Sequence, residues 1–166
     1  MSSITYFAYG SNMSLSRLRA RAPSARRLGR YVLESHALRF HKSGRDGSGK
    51  CDAFLTADPA DKVVGVVFNI NPAEKAWLDE VEGLGAGYNE KSVVVEGEAG
   101  ERLEAFTYWA THIDETLKPY SWYKHHVLTG AREAGLPIGY IECIEAIECL
   151  EDPDSKRANT ERAIHG

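Results

Sequence analysis

The sequence predicts one α+β domain, built on a small mixed, curled sheet or β-barrel with flanking α-helices. Strand-like segments dominate the first two thirds of the chain and helical spacing dominates the last third, without the regular alternation of a βαβ fold. A length of 166 residues with 43% hydrophobic content suits a single core for residues 1–166. No GxGxxG or GxxxxGK[ST] motif is present, which disfavours a doubly wound nucleotide fold.

The chain begins with a strand that turns sharply into a short helix. Residues 4–9 are aromatic and β-branched, and the Gly-Ser-Asn cluster at residues 10–12 stops them. We expect Asn12 to cap a helix over residues 14–21. Pro23 ends that helix, because the residue before a proline avoids the helical region.

Strands predominate from there to residue 70. The pattern predicts them over residues 28–34, 37–41, 53–57 and 63–70. A Gly- and Ser-rich loop over residues 43–49 is flexible enough to close over a ligand. The last two strands are expected to pair as a hairpin, and the second of them is apolar enough to be buried on both faces at the sheet centre.

The helix over residues 71–82 has the best-defined start. Asn71 is a cap residue, Pro72 takes the first helical position and Glu74 follows three residues after the cap. Gly83 stops this helix. The remaining predicted elements are strands over residues 91–96 and 103–109 and helices over residues 119–135 and 138–147. The tail over residues 151–166 is polar, as is typical of a segment that frays.

Composition and charge exclude several classes of protein. The formal net charge of −4 and the 27% charged residues argue against a disordered chain and against bulk nucleic-acid binding. No apolar stretch approaches the roughly 18 residues that a membrane span needs. Three cysteines without a CxxC motif favour neither a disulfide framework nor a zinc cluster, so we expect a protein of the reducing cytoplasm.

Basic residues are concentrated at the start of the chain. Residues 1–33 contain no Asp or Glu but hold six arginines: Arg17, Arg19, Arg21, Arg26, Arg27 and Arg30. No nucleic-acid motif accompanies them, so we interpret them as a solvated basic face, and an import signal is a minor alternative. The adjacent pair His125 and His126 diverges on a helix, which disfavours a metal site.

Two local features are able to carry chemistry. The turn at residues 10–12 exposes backbone N–H groups at the start of a helix, where a carboxylate or an oxyanion would be stabilised; alternatively, it only makes the turn and the cap. Glu82 lies at the end of its helix, three residues after Asp79 on the same face. The negative helix end and the like charge disfavour its ionisation and make Glu82 a candidate base, although acidic helix ends are usually solvated surface.

Together these features resemble a known family. They are the YGSN turn at residues 9–12, a GVVF strand, the DExEG helix end, a following GxGY and the segment WYKxxVLxGAxExGLP at residues 122–137. This combination is similar to the gamma-glutamylcyclotransferase family over about residues 4–148. The resemblance implies a small mixed barrel with flanking helices, no metal or organic cofactor, and a place in glutathione metabolism.

The resemblance also implies roles for individual residues. Glu82 would be the general acid/base. The gamma-glutamyl group would be bound by Tyr6, Phe7, Ala8, Tyr9, Gly10, Ser11 and Asn12, with Tyr123 lining the pocket and Tyr88 and Tyr108 at similar aromatic positions. In a regular strand Tyr6 and Tyr9 should point to opposite faces, because they are three residues apart.

The implied reaction is the cyclisation of the gamma-glutamyl group of a small-molecule amino acid or peptide derivative, with release of 5-oxoproline. Two alternatives stay open: a non-catalytic binding module of the same fold, and a cyclotransferase for a dedicated biosynthetic intermediate or a lysine side chain. The sequence leaves open the leaving amine, the pathway, any partner of the basic segment and the oligomeric state, a homodimer included.

Overall fold

The structure is a computed structural model, which describes residues 3–165. Seven strands are present: β1 (Ile4–Ala8), β2 (Arg26–Glu34), β3 (His36–Ser43), β4 (Gly49–Leu55), β5 (Lys62–Ile70), β6 (Tyr88–Glu96) and β7 (Arg102–Ala110). Five of them close a barrel in the order β1-β5-β2-β6-β7. Neighbouring strands are antiparallel except β1 and β7, which run parallel where Tyr6 faces Phe106. The predicted small mixed barrel is therefore confirmed.

The remaining two strands form a separate sheet. β3 and β4 pair antiparallel from His36 opposite Leu55 to Ser43 opposite Gly49, and we call this element the β3–β4 hairpin. Asp52 fastens it to the barrel, because one carboxylate oxygen lies 2.7 Å from His41 Nε2 and the other accepts a hydrogen bond from the Ala110 N–H at 2.9 Å.

The predicted hairpin of residues 53–57 with residues 63–70 is wrong. β4 pairs with β3, whereas β5 pairs with β1 on one edge and with β2 on the other. The connecting segment turns back on the start of β3, since the N–H groups of Thr56 and Ala57 both donate to Ser35 O. Burial of β5 on both faces is confirmed, because Val63, Val66 and Val67 have no exposed surface.

Within residues 3–165, five α-helices flank the sheets: α1 (Leu15–Arg19), α2 (Pro72–Glu82), α3 (Ser121–Glu133), α4 (Ile138–Glu145) and α5 (Ser155–Arg162). The signals predicted for α2 are all present: Asn71 Oδ1 accepts from the Ala73 N–H at 2.9 Å, Pro72 opens the helix, and Gly83 ends it with a φ of 70°. No helix within residues 3–165 is long and apolar enough to span a membrane.

The C-terminal segment contains α5, which the sequence pattern does not predict. Asp152 precedes it and has a fully buried side chain. Its carboxylate accepts hydrogen bonds from Trp122 Nε1 of α3 at 2.9 Å and from the Arg157 guanidinium of α5 at 2.6 Å. A polar composition predicts fraying when only apolar contacts are considered, but here ionic and hydrogen-bonded contacts hold the segment against α3.

Candidate active site

The turn after β1 brings two tyrosines to the same place. β1 ends at Ala8, so Tyr9 lies beyond the strand. The direction of its side chain therefore does not follow the alternation of faces along a strand. Tyr6 and Tyr9 therefore line one small recess, against the expectation that they point to opposite faces. Gly10 is required for the close approach that follows, because a Cβ at this position would lie 2.8 Å from Cys51 Cβ.

Asn12 contacts Glu82 and is not the helix cap. The cap of α1 is Ser14, whose hydroxyl accepts from the Arg17 N–H at 3.3 Å, which also explains why the helix starts later than predicted. The Asn12 side-chain amide donates to Glu82 Oε1 at 2.7 Å and to the Tyr6 hydroxyl at 3.1 Å, and its Oδ1 accepts from Arg21 Nη1 at 2.8 Å. The predicted cap is therefore wrong, and Asn12 instead fixes the position of Glu82.

The charges around Glu82 differ from those expected on the helix. Asp79 does not act on Glu82 as a bare like charge, because it accepts from Lys75 Nζ at 2.9 Å and from the Tyr108 hydroxyl at 2.5 Å. The nearest ionic group to Glu82 Oε1 is Arg21 Nη1, at 3.9 Å. Glu82 is thus held between an amide donor and a guanidinium at the end of α2.

A frame of tyrosines surrounds this carboxylate. Tyr9 donates to Tyr108 O at 2.5 Å, Tyr88 donates to Cys51 O at 2.7 Å, and the Tyr123 hydroxyl accepts from the Cys51 N–H at 3.0 Å. Burial raises the pKa of each of these phenols and that of Tyr6, so all five hydroxyls stay protonated at neutral pH. The frame therefore offers fixed neutral hydroxyl groups without added negative charge.

These side chains enclose two adjoining spaces. The inner recess, about 30 Å³, is walled by the five tyrosines together with residues 10–12, Cys51 and Glu82. The outer cavity, about 570 Å³, is lined by the tip of the β3–β4 hairpin, the end of α2 and several basic side chains. The two adjoin, because Ser11, Glu82, Tyr88 and Tyr123 line both.

The structure brings most of the predicted site residues together. Around the inner recess lie Tyr6, Tyr9, Gly10, Ser11, Asn12, Glu82, Tyr88, Tyr108 and Tyr123. Phe7 and Ala8 are buried but line neither space. The Phe7 backbone carbonyl accepts from Thr107 Oγ1 at 2.8 Å, and its ring meets Gly65 of β5, so Phe7 is part of the packed barrel.

The basic segment is largely paired within the chain. Four of its six arginines approach carboxylates: Arg17 with Glu161, Arg21 with Glu82, Arg27 with Glu133 and Arg30 with Glu98. The interpretation as a solvated basic face is wrong for the buried Arg17, whereas the ion pairs of Arg27 and Arg30 lie at the surface. Because residues 1–33 contain no Asp or Glu, any carboxylate partner of these arginines must lie outside this segment. The sequence does not indicate that Arg21 is the arginine that contacts Glu82.

Two further residues that line these spaces are not indicated by the sequence. Cys51 supplies backbone groups to Tyr88 and Tyr123, and burial raises the pKa of its thiol to about 12, so it is not a thiolate at neutral pH. Lys42 projects from β3 into the outer cavity. Nothing in the local sequence marks either residue, because both positions depend on how the β3–β4 hairpin docks against the barrel.

Cysteines and histidines elsewhere show no metal-binding arrangement within residues 3–165, where no group of three or more His, Cys, Asp or Glu side chains is placed to hold an ion. Cys143 and Cys149 are exposed free thiols. His126 is buried in α3 and its Nδ1 lies 2.7 Å from His165 Nε2.

Comparisons with known proteins match both the sequence and this geometry. Residues 62–144 match the model of the AIG2-like family. Gamma-glutamylcyclotransferase from Homo sapiens is 35% identical over 150 residues, which cover 88% of this chain and 79% of that protein. The Mus musculus protein of the same name is 35% identical over 149 residues, covering 86% of this chain and 78% of that protein.

Two solved structures share the fold of this chain. One described as gamma-glutamyl cyclotransferase superposes with a TM-score of 0.87 at 31% identity, covering 99% of both chains. Another, a protein from Homo sapiens described as uncharacterized, superposes with a TM-score of 0.88 at 31% identity over the full length of both chains.

Proposed function

Because this chain belongs to the gamma-glutamylcyclotransferase family, we propose that it cyclises the gamma-glutamyl group of gamma-glutamyl amino acids or peptides, releasing 5-oxoproline and the free amine. One observation supports the proposal most strongly. Glu82, held by Asn12 at 2.7 Å, is the carboxylate of a recess that is otherwise walled by neutral tyrosines and a glycine turn. Such a carboxylate is suited to moving one proton between two substrate nitrogens.

The reaction needs no protein nucleophile. The substrate's α-amine nitrogen attacks its own γ-carbonyl carbon, a new C–N bond closes the five-membered lactam, and the bond to the leaving nitrogen breaks. Intramolecular closure of a well-oriented pair reaches an effective molarity of about 10⁵ M or more, so orientation supplies much of the rate. Cys51 has no role as a nucleophile here, because its thiol stays protonated.

Glu82 would carry the proton between the two ends of the reaction. It accepts one from the attacking amine and delivers one to the leaving nitrogen, so that Glu82 is unchanged at the end of a turnover. Asn12 and Arg21 keep Glu82 in place, through the amide at 2.7 Å and the guanidinium at 3.9 Å from Oε1. The amides of residues 10–12 are suited to hold the substrate carboxylate or the oxyanion that develops at the γ-carbonyl.

The size of the inner recess constrains how the substrate lies. Its volume of about 30 Å³ is small beside the outer cavity of about 570 Å³, with which it shares Ser11, Glu82, Tyr88 and Tyr123 as lining residues. The group would therefore extend past Glu82 into the outer cavity, and the leaving amine would lie there. The tyrosine hydroxyls supply polar contacts along a wall that is otherwise apolar.

The two pockets and the free thiols also support proposals on the size of the substrate and on the cellular location. We propose a small-molecule substrate, because both spaces are pockets lined by residues of this chain alone. We also propose a single domain over residues 1–166. A cytoplasmic location suits the free thiols, since exposed cysteines such as Cys143 and Cys149 persist in a reducing compartment.

The first test is 5-oxoproline release from gamma-glutamyl-alanine by wild type and by Glu82→Gln. We expect the variant to lose about 10²- to 10⁴-fold in turnover, since glutamine keeps the hydrogen bond from Asn12 but transfers no proton. Glu80→Gln is the matched control: Glu80 is exposed on the same helix, two residues away, and lines neither space.

Circular dichroism of all three proteins establishes that they are folded. Wild-type activity that survives in Glu80→Gln and disappears in Glu82→Gln supports both the reaction and the role of Glu82. Equal activity in wild type and Glu82→Gln would remove Glu82 from the mechanism. A folded wild type without 5-oxoproline release, but with calorimetric binding of 5-oxoproline, would favour a binding module.

A further inference from the structure

The outer cavity is strongly cationic. Five cationic side chains and two carboxylates line it. Most of these charges already have a partner: Asp46 lies 2.8 Å from Lys50 Nζ, and Glu82 lies 3.9 Å from Arg21 Nη1. Of these five cations, the two that have no carboxylate partner among the residues that the structure describes are Lys42 and Arg45.

Lys42 is the better-fixed of the two. It is only 8% exposed, although it carries a charge, and its ammonium stands 4.7 Å from the centroid of the Tyr88 ring. Its stem lies over Gly87, where a Cβ would come within 2.9 Å of Nζ. Arg45, in contrast, is exposed at the tip of the β3–β4 hairpin.

The buried position of Lys42 disfavours the charged form of its ammonium group, and an anionic ligand would reduce this effect. Burial lowers the pKa of Lys42, which means that the charged form is poorly solvated at this position. Glu82 partly offsets this from across the cavity but makes no ion pair with Lys42. An anion bound beside Nζ would supply the missing counter-charge.

We propose that Lys42 binds a carboxylate of the leaving amine and so determines which gamma-glutamyl compounds this enzyme accepts. The inference rests on the proposed function. In a gamma-glutamyl amino acid the carboxylate is attached to the carbon next to the leaving nitrogen, and that nitrogen must meet Glu82. Lys42 and Glu82 both line the outer cavity beside Tyr88, so one leaving group can contact both.

The substrate class that fits is therefore a gamma-glutamyl derivative with an ionised carboxylate next to the scissile bond. Derivatives of simple amines lack this anion and leave Lys42 without a counter-charge. Arg45, at the rim of the cavity, adds positive potential on the path by which such an anion enters.

The test uses two substrates that differ by one carboxylate, gamma-glutamyl-alanine and gamma-glutamyl-ethylamine. We expect wild type to prefer the alanine compound, and Lys42→Met to lose about 10- to 100-fold in kcat/KM on that compound, the range for a charge-assisted hydrogen bond. On the ethylamine compound Lys42→Met should stay within about 3-fold of wild type, because no carboxylate contact exists to lose. Lys42→Arg should retain most of the preference.

Two further variants separate charge from packing. Gly87→Ala keeps the lysine but pushes its flexible end aside, so it should reduce the preference for the alanine compound without abolishing turnover of the other. Lys62→Met is the matched control, since Lys62 is exposed at the start of β5 and lines neither space. It should leave both rates unchanged.

A binding experiment separates this inference from the proposed function. In a Glu82→Gln background, calorimetry measures the affinity of both compounds without turnover, with and without Lys42→Met. A preference for the alanine compound that disappears with Lys42→Met supports the carboxylate contact even when no 5-oxoproline is formed. Equal affinity for the two compounds, or an equal effect of Lys42→Met on both, overturns the inference even when the enzyme is active.

Discussion

Gly10 is the residue on which the inner recess depends most directly. The chain passes so close to β4 that the nearest atoms to a Cβ at this position would be Cys51 Cβ at 2.8 Å, Cys51 Sγ at 3.3 Å and the Tyr123 hydroxyl at 3.4 Å. All three belong to buried residues with little freedom to move. A side chain here would therefore separate the turn from the tyrosine frame.

We expect Gly10→Ala to destabilise the protein by about 1–3 kcal/mol, the usual cost of overpacking, and to reduce activity because the recess is displaced. Gly139→Ala is the matched control, since a Cβ there meets nothing within 4 Å and alanine favours the α4 helix by about 1 kcal/mol. Urea unfolding and 5-oxoproline release, measured for both variants, check the prediction. A Gly10→Ala protein as stable and active as wild type would contradict it.

Single residues of the site differ in how far the sequence predicts them. Glu82 is identified from its helix end together with the family resemblance, and it lies in the recess. The hydrogen bonds of Asn12 are not predicted, because the local pattern of a turn before a helix suits a cap equally well, and Ser14 takes that place. Arg21 and Lys42 are missed, since their contacts are made with elements distant in the sequence.

Among the elements, α3 and α5 meet around a buried histidine. His126 has no exposed surface, and its neighbours are Glu161 of α5 at 3.7 Å, His165 at 2.7 Å and Arg17 of α1. Burial lowers the pKa of His126, Arg17 and His165 add to this effect, and Glu161 opposes it. The folded protein therefore holds His126 neutral at pH values where an unfolded chain would bind a proton.

The consequence is a stability that falls in mild acid. Below about pH 6.5 the unfolded state takes up a proton at this position while the folded state does not, so the free energy of unfolding decreases as the pH falls. We expect the decrease between pH 7.5 and 5.5 to be smaller in His126→Gln, measured by urea unfolding at each pH. His36 is present in both proteins, so its contribution to the pH dependence of stability cancels in the comparison. If the free energy of unfolding changes equally with pH in both proteins, His126 is not the source of the decrease.

The elements themselves are predicted better than their pairing. Helix α2 has the predicted start and end because its cap, proline and terminal glycine are local signals. The partner of β4 is mispredicted. The segment around Asp58 has the residues of a turn between two paired strands, but it does not indicate that β5 lies in the barrel while β4 pairs with β3. Composition does not predict α5, whose attachment depends on Asp152 meeting Trp122 and Arg157.

On the scale of the whole molecule, the site is assembled from across the chain. Tyr6 comes from β1, Glu82 from α2, Tyr108 from β7 and Tyr123 from α3, and the barrel closes where β1 meets β7 in parallel. A ligand in the recess therefore contacts elements from both ends of the sequence. Its binding should stabilise the folded chain as one unit.

We expect 5-oxoproline to raise the thermal midpoint of the wild type. At a concentration of about 100 times its Kd, a ligand that binds only the folded state adds about 2.7 kcal/mol, which corresponds to several degrees for a chain of this size. L-Proline, which lacks the lactam carbonyl, is the control at the same concentration. The prediction is wrong if proline and 5-oxoproline shift the midpoint equally.

The β3–β4 hairpin, finally, stands outside the closed barrel while contributing Lys42 and Arg45 to the outer cavity. Glu82, the carboxylate for which we propose proton transfer, lies instead on α2, which follows a barrel strand directly. Mutations at the hairpin tip thus alter the cavity without breaking the hydrogen bonds that close the barrel. If the proposed roles of Glu82 and Lys42 hold, substitutions in the hairpin would change which leaving group is accepted while the proton transfer stays the same.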